Sequence, residues 1–356
     1  MGRLQWLLRN IRRYFLNPEA IILTLFFILL YYYFFHSDKV WNVFERVRVR
    51  LELKWAGQFD RVPSNGERTI TSEKSKASWE LIKDNVGVYA IQGRRPHMED
   101  RFNVITNLEH TNTSIYGIFD GHGGDFAADF TEKTLFKTIM VRLLKAALAE
   151  SEENLAVMLT EEILHVDEQL LQIEKSTKEI SGTTCLVALQ RHPLLYVANV
   201  GDSRGVLCDQ DNNMVPLSFD HKPHQLRERK RIRKAGGFIS FNGVWRVAGV
   251  LATSRALGDY PLKDRNFVIA EPDILTFNME ELKPRFMILA TDGLWDAFSN
   301  EEAVQFIRER LDEPHYGAKS IVLQAYYRGS LDNITVIIIN FEANRTVEVS
   351  SKDVKV

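Results

Sequence analysis

Cysteine is scarce in this chain, and neither charge sign dominates it. Its 356 residues include two cysteines, Cys185 and Cys208, and carry a formal net charge of -2. Both cysteines lie in apolar runs, which predicts buried thiols rather than a disulfide, and no Cys/His cluster has the spacing of a zinc site. A nearly neutral chain has no global attraction for polyanions, so we predict no nucleic-acid partner.

Long hydrophobic runs are also rare, with one exception near the amino terminus. Residues 20–35 carry no charge and follow Arg3, Arg9, Arg12 and Arg13. This pattern predicts a transmembrane anchor over residues 20–36, with an aromatic belt at its exit. The run is shorter than the ~20 residues of a usual span, a difference that bilayer thinning can absorb. The alternatives are a buried helix and a cleaved signal peptide, and no small-residue cleavage site follows to support the latter.

Composition divides the remainder of the chain. We predict a basic flank over 1–19, a juxtamembrane segment and flexible linker over 37–78, one globular domain over 79–342 and a polar tail over 343–356. Within the linker, apolar and charged residues alternate over 47–55, which is typical of a strand with one apolar face.

The orientation of the domain follows from its glycosylation acceptors. Basic residues flank the hydrophobic run on both sides, so the positive-inside rule does not decide. Asn112, Asn333 and Asn344 each begin an Asn-X-Ser/Thr acceptor, and Asn333 directly follows Asp332, a candidate site residue. A glycan there would block the site, so we predict that the domain faces the cytosol.

Strands and helices are grouped rather than regularly alternating. Apolar runs predict strands at 86–91, 183–189, 194–200 and 204–208, and helical spacing predicts helices over 125–150 and 153–173. Short connections favour antiparallel pairing. The basic run 227–234 is interpreted as a solvated helix ending at a glycine cap, the alternative being a nuclear-localisation patch. Ser299 to Glu302 form a capping-box pattern. The grouping predicts an α+β fold.

Three aspartates lie at the ends of apolar runs. Asp120 and Asp292 follow such runs, and Asp332 precedes another. One Asp-Gly or Asp-Asn pair is commonly only a turn, but three at strand ends favour a site for hard cations such as Mg²⁺ or Mn²⁺. Two such cations suit phosphoryl transfer to water, and Arg94 and Arg95 are candidates to bind the phosphate.

Eight motifs follow one another between about residues 80 and 341. They are Gly93-Arg-Arg-Pro-His-Met-Glu-Asp100, Phe119-Asp-Gly-His-Gly-Gly124, Ser181-Gly-Thr-Thr184, Asn199-Val-Gly-Asp-Ser-Arg204, Ala235-Gly-Gly237, Thr253-Ser-Arg-Ala-Leu-Gly-Asp259, Ala290-Thr-Asp-Gly-Leu-Trp-Asp296 and Asp332-Asn333. Their order resembles that of the metal-dependent protein phosphatases of type 2C. The resemblance implies an αββα sandwich of two antiparallel sheets with helices outside and the site in a cleft at one edge.

The resemblance also assigns metal ligands. It implies two Mn²⁺ or Mg²⁺ ions bridged by Asp120, with the Gly121 carbonyl completing one site and Asp292 and Asp332 binding the other. Glu99 and Asp100 would act through metal-bound water. Asp202 and Asp296 match positions linked to a third, weaker metal.

The same resemblance implies the chemistry. A hydroxide bridging the two metals would attack phosphorus directly, and Arg95, rather than Arg94, matches the phosphate-binding position. His122 matches the proposed general acid, and its alternative role is to orient the loop by a hydrogen bond. Residues 236–256 correspond to a variable flap whose Phe238, Phe241, Asn242 and Trp245 are interpreted either as substrate contacts or as core.

The resulting expectation is a membrane-tethered protein serine/threonine phosphatase acting on cytosolic signalling proteins, with stress-activated kinase cascades as a substrate pool. Resemblance favours the endoplasmic reticulum membrane, and we predict a monomer. One alternative is a catalytically weak scaffold that binds phosphoproteins, although no expected metal aspartate is missing. A metal-dependent nuclease is another, which the net charge disfavours.

Overall fold

The computed structural model describes residues 78–108, 111–149 and 151–343. The chain divides into two units, Met1–Pro63 and Ser64–Val356, and every described residue belongs to the second. The predicted anchor, its basic flank, the strand at 47–55 and the polar tail lie outside the described residues. Within the described part of the chain, no helix combines the length and apolarity needed to cross a membrane.

Two antiparallel sheets form the centre of the domain. The first has six strands in the order β1-β2-β16-β15-β9-β10: Ser78–Lys83, Val86–Ile91, Ile334–Asn340, Phe286–Ala290, Arg204–Cys208 and Met214–Pro216. The second has five strands in the order β14-β8-β7-β4-β3: Asp273–Asn278, Leu194–Val200, Cys185–Arg191, Thr113–Phe119 and Arg101–Leu108. All these pairs are antiparallel, as predicted from the short connections.

Two smaller strand groups lie outside the main sheets. A three-stranded sheet has the order β13-β6-β5, formed by Leu257–Gly258, Gly182–Thr183 and Gly121–His122. A hairpin pairs β11 Ile239–Asn242 with β12 Val244–Val247. The predicted strand at 183–189 is therefore divided at Thr184, because its first residue joins the small sheet while Cys185 onward joins the large one.

The helices at 126–148 and 155–177 occupy intervals that apolar spacing predicted, whereas the short helices at 260–263, 279–282 and 292–295 were not predicted. They are α1 Phe126–Leu148, α2 Leu155–Thr177, α3 Leu226–Lys234, α4 Tyr260–Lys263, α5 Met279–Leu282, α6 Asp292–Trp295, α7 Asn300–Arg308 and α8 Ala318–Tyr327, with a 3-10 turn at Pro314–Gly317. The basic run is the helix α3, whose end is closed by the Gly237 amide donating to the Ile232 carbonyl. The predicted capping box at Ser299 and Glu302 is present.

Three apolar cores separate the layers. The innermost joins the two sheets through inward residues such as Tyr116, Leu186 and Ile337. Neighbouring strand residues point the other way, since successive side chains alternate between faces. Val187 thus packs under α1 and α2, while Ile338 packs under α7 and α8. This stacking of helices, sheet, sheet and helices agrees with the predicted sandwich. Cys185 and Cys208 are buried free thiols, as predicted.

Candidate active site

Asp120 lies where the buried strand β4 leaves the five-stranded sheet. Its amide donates to Thr184 Oγ1 at 3.0 Å, and its carbonyl accepts from the Thr184 amide at 2.9 Å. These bonds hold the backbone at the point where β4 passes into the small sheet. The carboxylate therefore projects from a fixed position.

Gly121 allows an unusually close contact beside this carboxylate. A Cβ at this position would lie 2.5 Å from the Glu99 carbonyl oxygen and 3.1 Å from the Ala128 Cβ. Only glycine lets the loop carrying Glu99 approach the strand end so closely. Two segments predicted to hold metal ions are thereby packed together.

The six-stranded sheet supplies the other two aspartates. Asp292 opens the short helix α6 just after β15, and Asp332 lies two residues before the start of β16, the neighbour of β15. The Asp292 Oδ1 is buried and has no hydrogen-bond partner. The site thus takes Asp120 from one sheet and Asp292 and Asp332 from the other.

Asn333 anchors the loop that carries Arg95, Glu99 and Asp100. Its side-chain amide donates to the Gln92 carbonyl at 2.7 Å and the His97 carbonyl at 2.9 Å, and its Oδ1 accepts from the Glu99 amide at 2.8 Å. Asn333 is 3% exposed, so these bonds form away from water. A buried amide that satisfies three backbone groups fixes the loop firmly.

Asp100 is sealed beneath the cleft. Its Oδ2 accepts from the hydroxyls of Thr335 at 2.7 Å and Thr291 at 3.0 Å. Burial raises the pKa of Asp100 above its ordinary value, and the two hydroxyl bonds offset part of that increase. Asp100 thereby ties the phosphate-side loop to both strands that carry Asp292 and Asp332.

The remaining carboxylates repel one another. Burial raises the pKa of Asp120 well above its ordinary range, and the charges of Asp292 and Asp100 raise it further. Burial likewise raises the pKa of Asp292, reinforced by Asp202 and Asp332. Such a cluster is costly unless protons or cations neutralise it.

Two side-chain cations partly neutralise the cluster. Arg95 Nη2 lies 2.5 Å from Asp332 Oδ2, and Lys222 Nζ lies 2.5 Å from Asp202 Oδ2. Burial alone would lower the pKa of Lys222, but Asp202 outweighs it and raises that pKa. The Arg95 side chain remains 51% exposed, so it borders solvent as a phosphate-binding group must.

The donor chemistry fits hard divalent cations. The candidate ligands are oxygen atoms, they repel one another, and Asp292 Oδ1 has no hydrogen-bond donor. Among the described residues, no three Asp, Glu, His or Cys side chains already converge as a metal-ligating group. Asp332 and Asp202 are instead turned toward Arg95 and Lys222.

His122 lies next to this cluster in the small sheet. Its Nε2 is 2.8 Å from Asp259 Oδ2, and the His122 side chain is 27% exposed. Burial alone would lower the pKa of His122, but the Asp259 carboxylate raises it above the ordinary value.

The structure separates the remaining candidates. Asp296 follows Asp292 by one turn, its amide donating to the Asp292 carbonyl at 2.8 Å, and its side chain is exposed. Arg94 stacks on Tyr326 and donates to the Tyr326 carbonyl, so it braces the loop instead of facing phosphate. Phe238, Phe241 and Trp245 are 58%, 62% and 40% exposed, which excludes the core interpretation of the flap aromatics.

Sequence reasoning missed several residues that support the site. They are Lys222, Asp259, Thr291 and Thr335, together with the anchoring role of Asn333. Asp259 ends the motif Thr253 to Asp259, and Lys222 follows His221 in a polar run. Neither sequence context reveals which residue the side chain contacts in the fold. The partner of Thr335 is 235 residues away in sequence.

The fold and its buried carboxylates define the class of protein. Residues 84–334 match the family model described as protein phosphatase 2C. The chain therefore belongs to the protein phosphatase 2C family, whose members are metal-dependent serine/threonine phosphatases.

Particular relatives extend this assignment. The chain is 51% identical to Protein phosphatase 1L of Bos taurus over 350 residues, covering 96% of this chain and 97% of that protein. It is 38% identical to Probable protein phosphatase 2C 59 of Arabidopsis thaliana, over 77% of this chain and 85% of the relative. The fold is similar to the crystal structure of serine-threonine phosphatase 2C from Toxoplasma gondii, with a TM-score of 0.66, 22% identity and coverage of 75% and 99%.

Proposed function

We propose that this phosphatase is tethered to a membrane and hydrolyses phosphoserine and phosphothreonine on cytosolic signalling proteins, using two divalent cations. The main support is the cluster of mutually repelling carboxylates at the junction of two sheets, with an exposed arginine beside it. A hard cation relieves the repulsion, and the arginine suits a phosphate dianion.

The residues of the site have separate proposed roles. Asp120, the Gly121 carbonyl, Asp292 and Asp332 would hold the two cations, with Glu99 and Asp100 bonding their water ligands. Bound Mn²⁺ or Mg²⁺ supplies a water nucleophile at neutral pH and neutralises charge on the ester. Arg95 exchanges its bond to Asp332 for two phosphate oxygens, since a guanidinium binds phosphate bidentately. This orients phosphorus for direct attack by water.

His122 completes the reaction on the leaving side. A serine or threonine alkoxide is a poor leaving group, so it needs a proton as the bond to phosphorus breaks. His122, which lies beside the carboxylate cluster with its Nε2 bonded to Asp259, would supply that proton. Asp202 and Asp296 remain predicted ligands of a third, weaker cation.

The test is phosphate release from a phosphothreonine peptide. We expect activity with Mn²⁺ or Mg²⁺, none in chelator, and a loss of at least about 100-fold in Asp292→Asn, because the cation loses a charged ligand. The exposed Asp211→Asn is the matched control and should retain full activity. Equal activity in chelator, or in Asp292→Asn, would rule out the metal mechanism.

Membrane tethering rests on residues 20–36, and cytosolic orientation on Asn333. The side-chain amide of Asn333 donates both available hydrogens to backbone carbonyls, leaving no room for a glycan. Deleting residues 20–36 should move the protein from the membrane fraction to the supernatant without changing peptide hydrolysis. A glycosidase-sensitive mass shift on the native protein would overturn the orientation. The endoplasmic reticulum, kinase-cascade substrates and the monomeric state remain predictions.

A further inference from the structure

Among the residues that the structure describes, Asp259 is the hydrogen-bond partner of the His122 side chain, and the small sheet brings the two together. Gly182 in β6 pairs with His122 of β5 on one side and with Gly258 of β13 on the other. Asp259 follows Gly258 directly, so a three-stranded arrangement places residues 137 positions apart within 2.8 Å.

The central strand β6 leaves space for this contact because residue 182 is a glycine. A Cβ built on Gly182 would lie 2.2 Å from Asp259 Oδ2 and 2.4 Å from His122 Nε2. Any larger residue at position 182 would therefore occupy the space in which the two side chains meet. The glycine of the Ser181-Gly-Thr-Thr184 motif is explained by this contact.

Asp259 is held in an uncommon backbone conformation. Its φ is 57°, in the left-handed region that residues other than glycine seldom adopt. Such strain persists only where the surroundings fix it, and it marks a candidate functional position.

Helix α2 supplies those surroundings. Asp167 Oδ1 accepts from the Gly258 amide at 2.9 Å, and Glu174 Oε2 accepts from the Tyr260 amide at 3.1 Å. Lys263 donates to the same Asp167 oxygen at 2.8 Å. The amides on both sides of Asp259 are thus fixed by buried acidic side chains, and the Asp259 side chain is itself only 8% exposed.

We propose that Asp259 is a positioning residue that holds the His122 ring by its Nε2 and so presents Nδ1 to the leaving-group oxygen. The proposal rests on the function proposed above. As water adds its oxygen to phosphorus, the bond from phosphorus to the ester oxygen breaks. That oxygen takes the Nδ1 proton and departs as the alcohol, and the proton lost by water passes to solvent. Asp259 touches neither the substrate nor a cation in this arrangement.

The experiment compares two substrates in the full-length protein with saturating Mn²⁺. A phosphothreonine peptide needs its leaving oxygen protonated, whereas p-nitrophenyl phosphate releases a stable phenolate. Asp259→Asn should lower kcat on the peptide at least about 10-fold, part of the ~10²–10⁴ that a general acid contributes. The KM for the peptide and the kcat for p-nitrophenyl phosphate should change less than about 3-fold.

Further variants distinguish a positioning role of Asp259 from a general loss of structure. His122→Gln should show the same substrate selectivity, and the double variant should be no slower than His122→Gln alone, because the two residues act as one unit. Gly182→Ala should also lower kcat on the peptide and leave p-nitrophenyl phosphate hydrolysis nearly unchanged, because the added methyl group would force Asp259 and His122 apart. This variant tests the proposal if Asp259→Asn does not fold. Asp264→Asn, an exposed aspartate of the same segment paired with Lys175, is the control and should match the native enzyme.

The outcomes are distinct. If the native protein hydrolyses neither substrate, the proposed function fails. If the native protein is active but Asp259→Asn equals it, slows both substrates alike, or multiplies the defect of His122→Gln, the positioning role is wrong.

Discussion

Individual buried carboxylates in this molecule are stabilised in two different ways. Burial opposes ionisation of Glu228, but Arg255 and Arg231 outweigh it and lower its pKa to about 2. Among the described residues no cation pairs directly with Glu174, and burial raises its pKa to about 9 although the charge of Lys263 lowers it. Glu228 is therefore an ion at neutral pH, whereas Glu174 retains its proton.

Glu174 gives a prediction about pH and stability. In the unfolded chain the pKa of Glu174 is its ordinary value of 4.5. The contribution of Glu174 to stability is therefore complete below that pH and is lost as pH rises toward about 9. Glu174→Gln keeps a neutral side chain and an oxygen acceptor for the Tyr260 amide. We expect the variant to lose less stability than the native protein between pH 5 and 9, measured by urea unfolding.

The exposed Glu168→Gln on the same helix is the matched control, and its pH profile should follow that of the native protein. Parallel profiles for Glu174→Gln and the native protein would show that Glu174 is ionised in the fold.

Among the structural elements, the loop from Gly93 to Asp100 depends most on one side chain outside it. It contributes Arg95, Glu99 and Asp100 to the cleft and has no regular secondary structure of its own. Asn333 directly precedes β16, a central strand of the six-stranded sheet, and its side chain makes three hydrogen bonds with this loop. Loop and ligand strand are therefore coupled.

Asn333→Ala should release this loop. Three buried hydrogen bonds are lost, which at about 1 kcal/mol each lowers the free energy of unfolding by about 3 kcal/mol. Activity on a phosphothreonine peptide should fall at least about 10-fold, because Arg95 and Glu99 lose their positions. Urea unfolding and steady-state kinetics provide the measurements. Gln172→Ala, which removes an exposed amide on α2, should change neither, and an equally stable and active Asn333→Ala would contradict the anchoring role.

The exposed aromatic residues of the flap hairpin β11–β12 lead to a prediction about peptide recognition. Phe241 and Trp245 face solvent with ring centroids 5.3 Å apart, so they form an apolar surface that the core does not need. Phe241→Ser with Trp245→Ser should raise the KM for a phosphopeptide several-fold and leave p-nitrophenyl phosphate hydrolysis unchanged. Unfolding should shift by less than about 0.5 kcal/mol per site. Leu148→Ser, also exposed, controls for general loss of apolar surface, and equal effects on both substrates would refute a role in peptide recognition.

In the whole molecule, the site lies across the junction of the two large sheets. Ligands from both sheets must come together before a cation can bind, so binding favours the folded state alone. Saturating Mn²⁺ should raise the thermal unfolding midpoint, with about 2.7 kcal/mol expected at a concentration 100 times the dissociation constant. Asp292→Asn should lose most of this shift in differential scanning fluorimetry, while Asp211→Asn retains it. No shift in the native protein would argue against a cation site joining the sheets.

The sequence predicted much of this molecule because the relevant signals are local. Apolar runs ending at Asp120 and Asp292 located the strands β4 and β15 and placed these two aspartates at their ends, and helical spacing located α1 and α2. Lys222, Asp259 and the role of Asn333 were missed because each depends on a partner from another segment, such as His122 for Asp259. The division of strand 183–189 was missed for the same reason, since Gly182 and Thr183 pair with the small sheet. Local periodicity does not reveal pairing between distant segments.

The buried Asn333 has a consequence for how the protein matures. Its acceptor sequence, Asn333-Ile-Thr335, is readable only before folding, because both Asn333 and Thr335 are buried afterwards. If the proposed anchor places the chain in a membrane, a copy inserted in the reverse orientation would be open to glycan transfer on Asn333 while still unfolded, and a glycan there would displace the hydrogen bonds that hold the loop from Gly93. Chains of the wrong topology would thus be marked and inactive from synthesis. The residue that secures the active site would also exclude activity on the wrong side of the membrane.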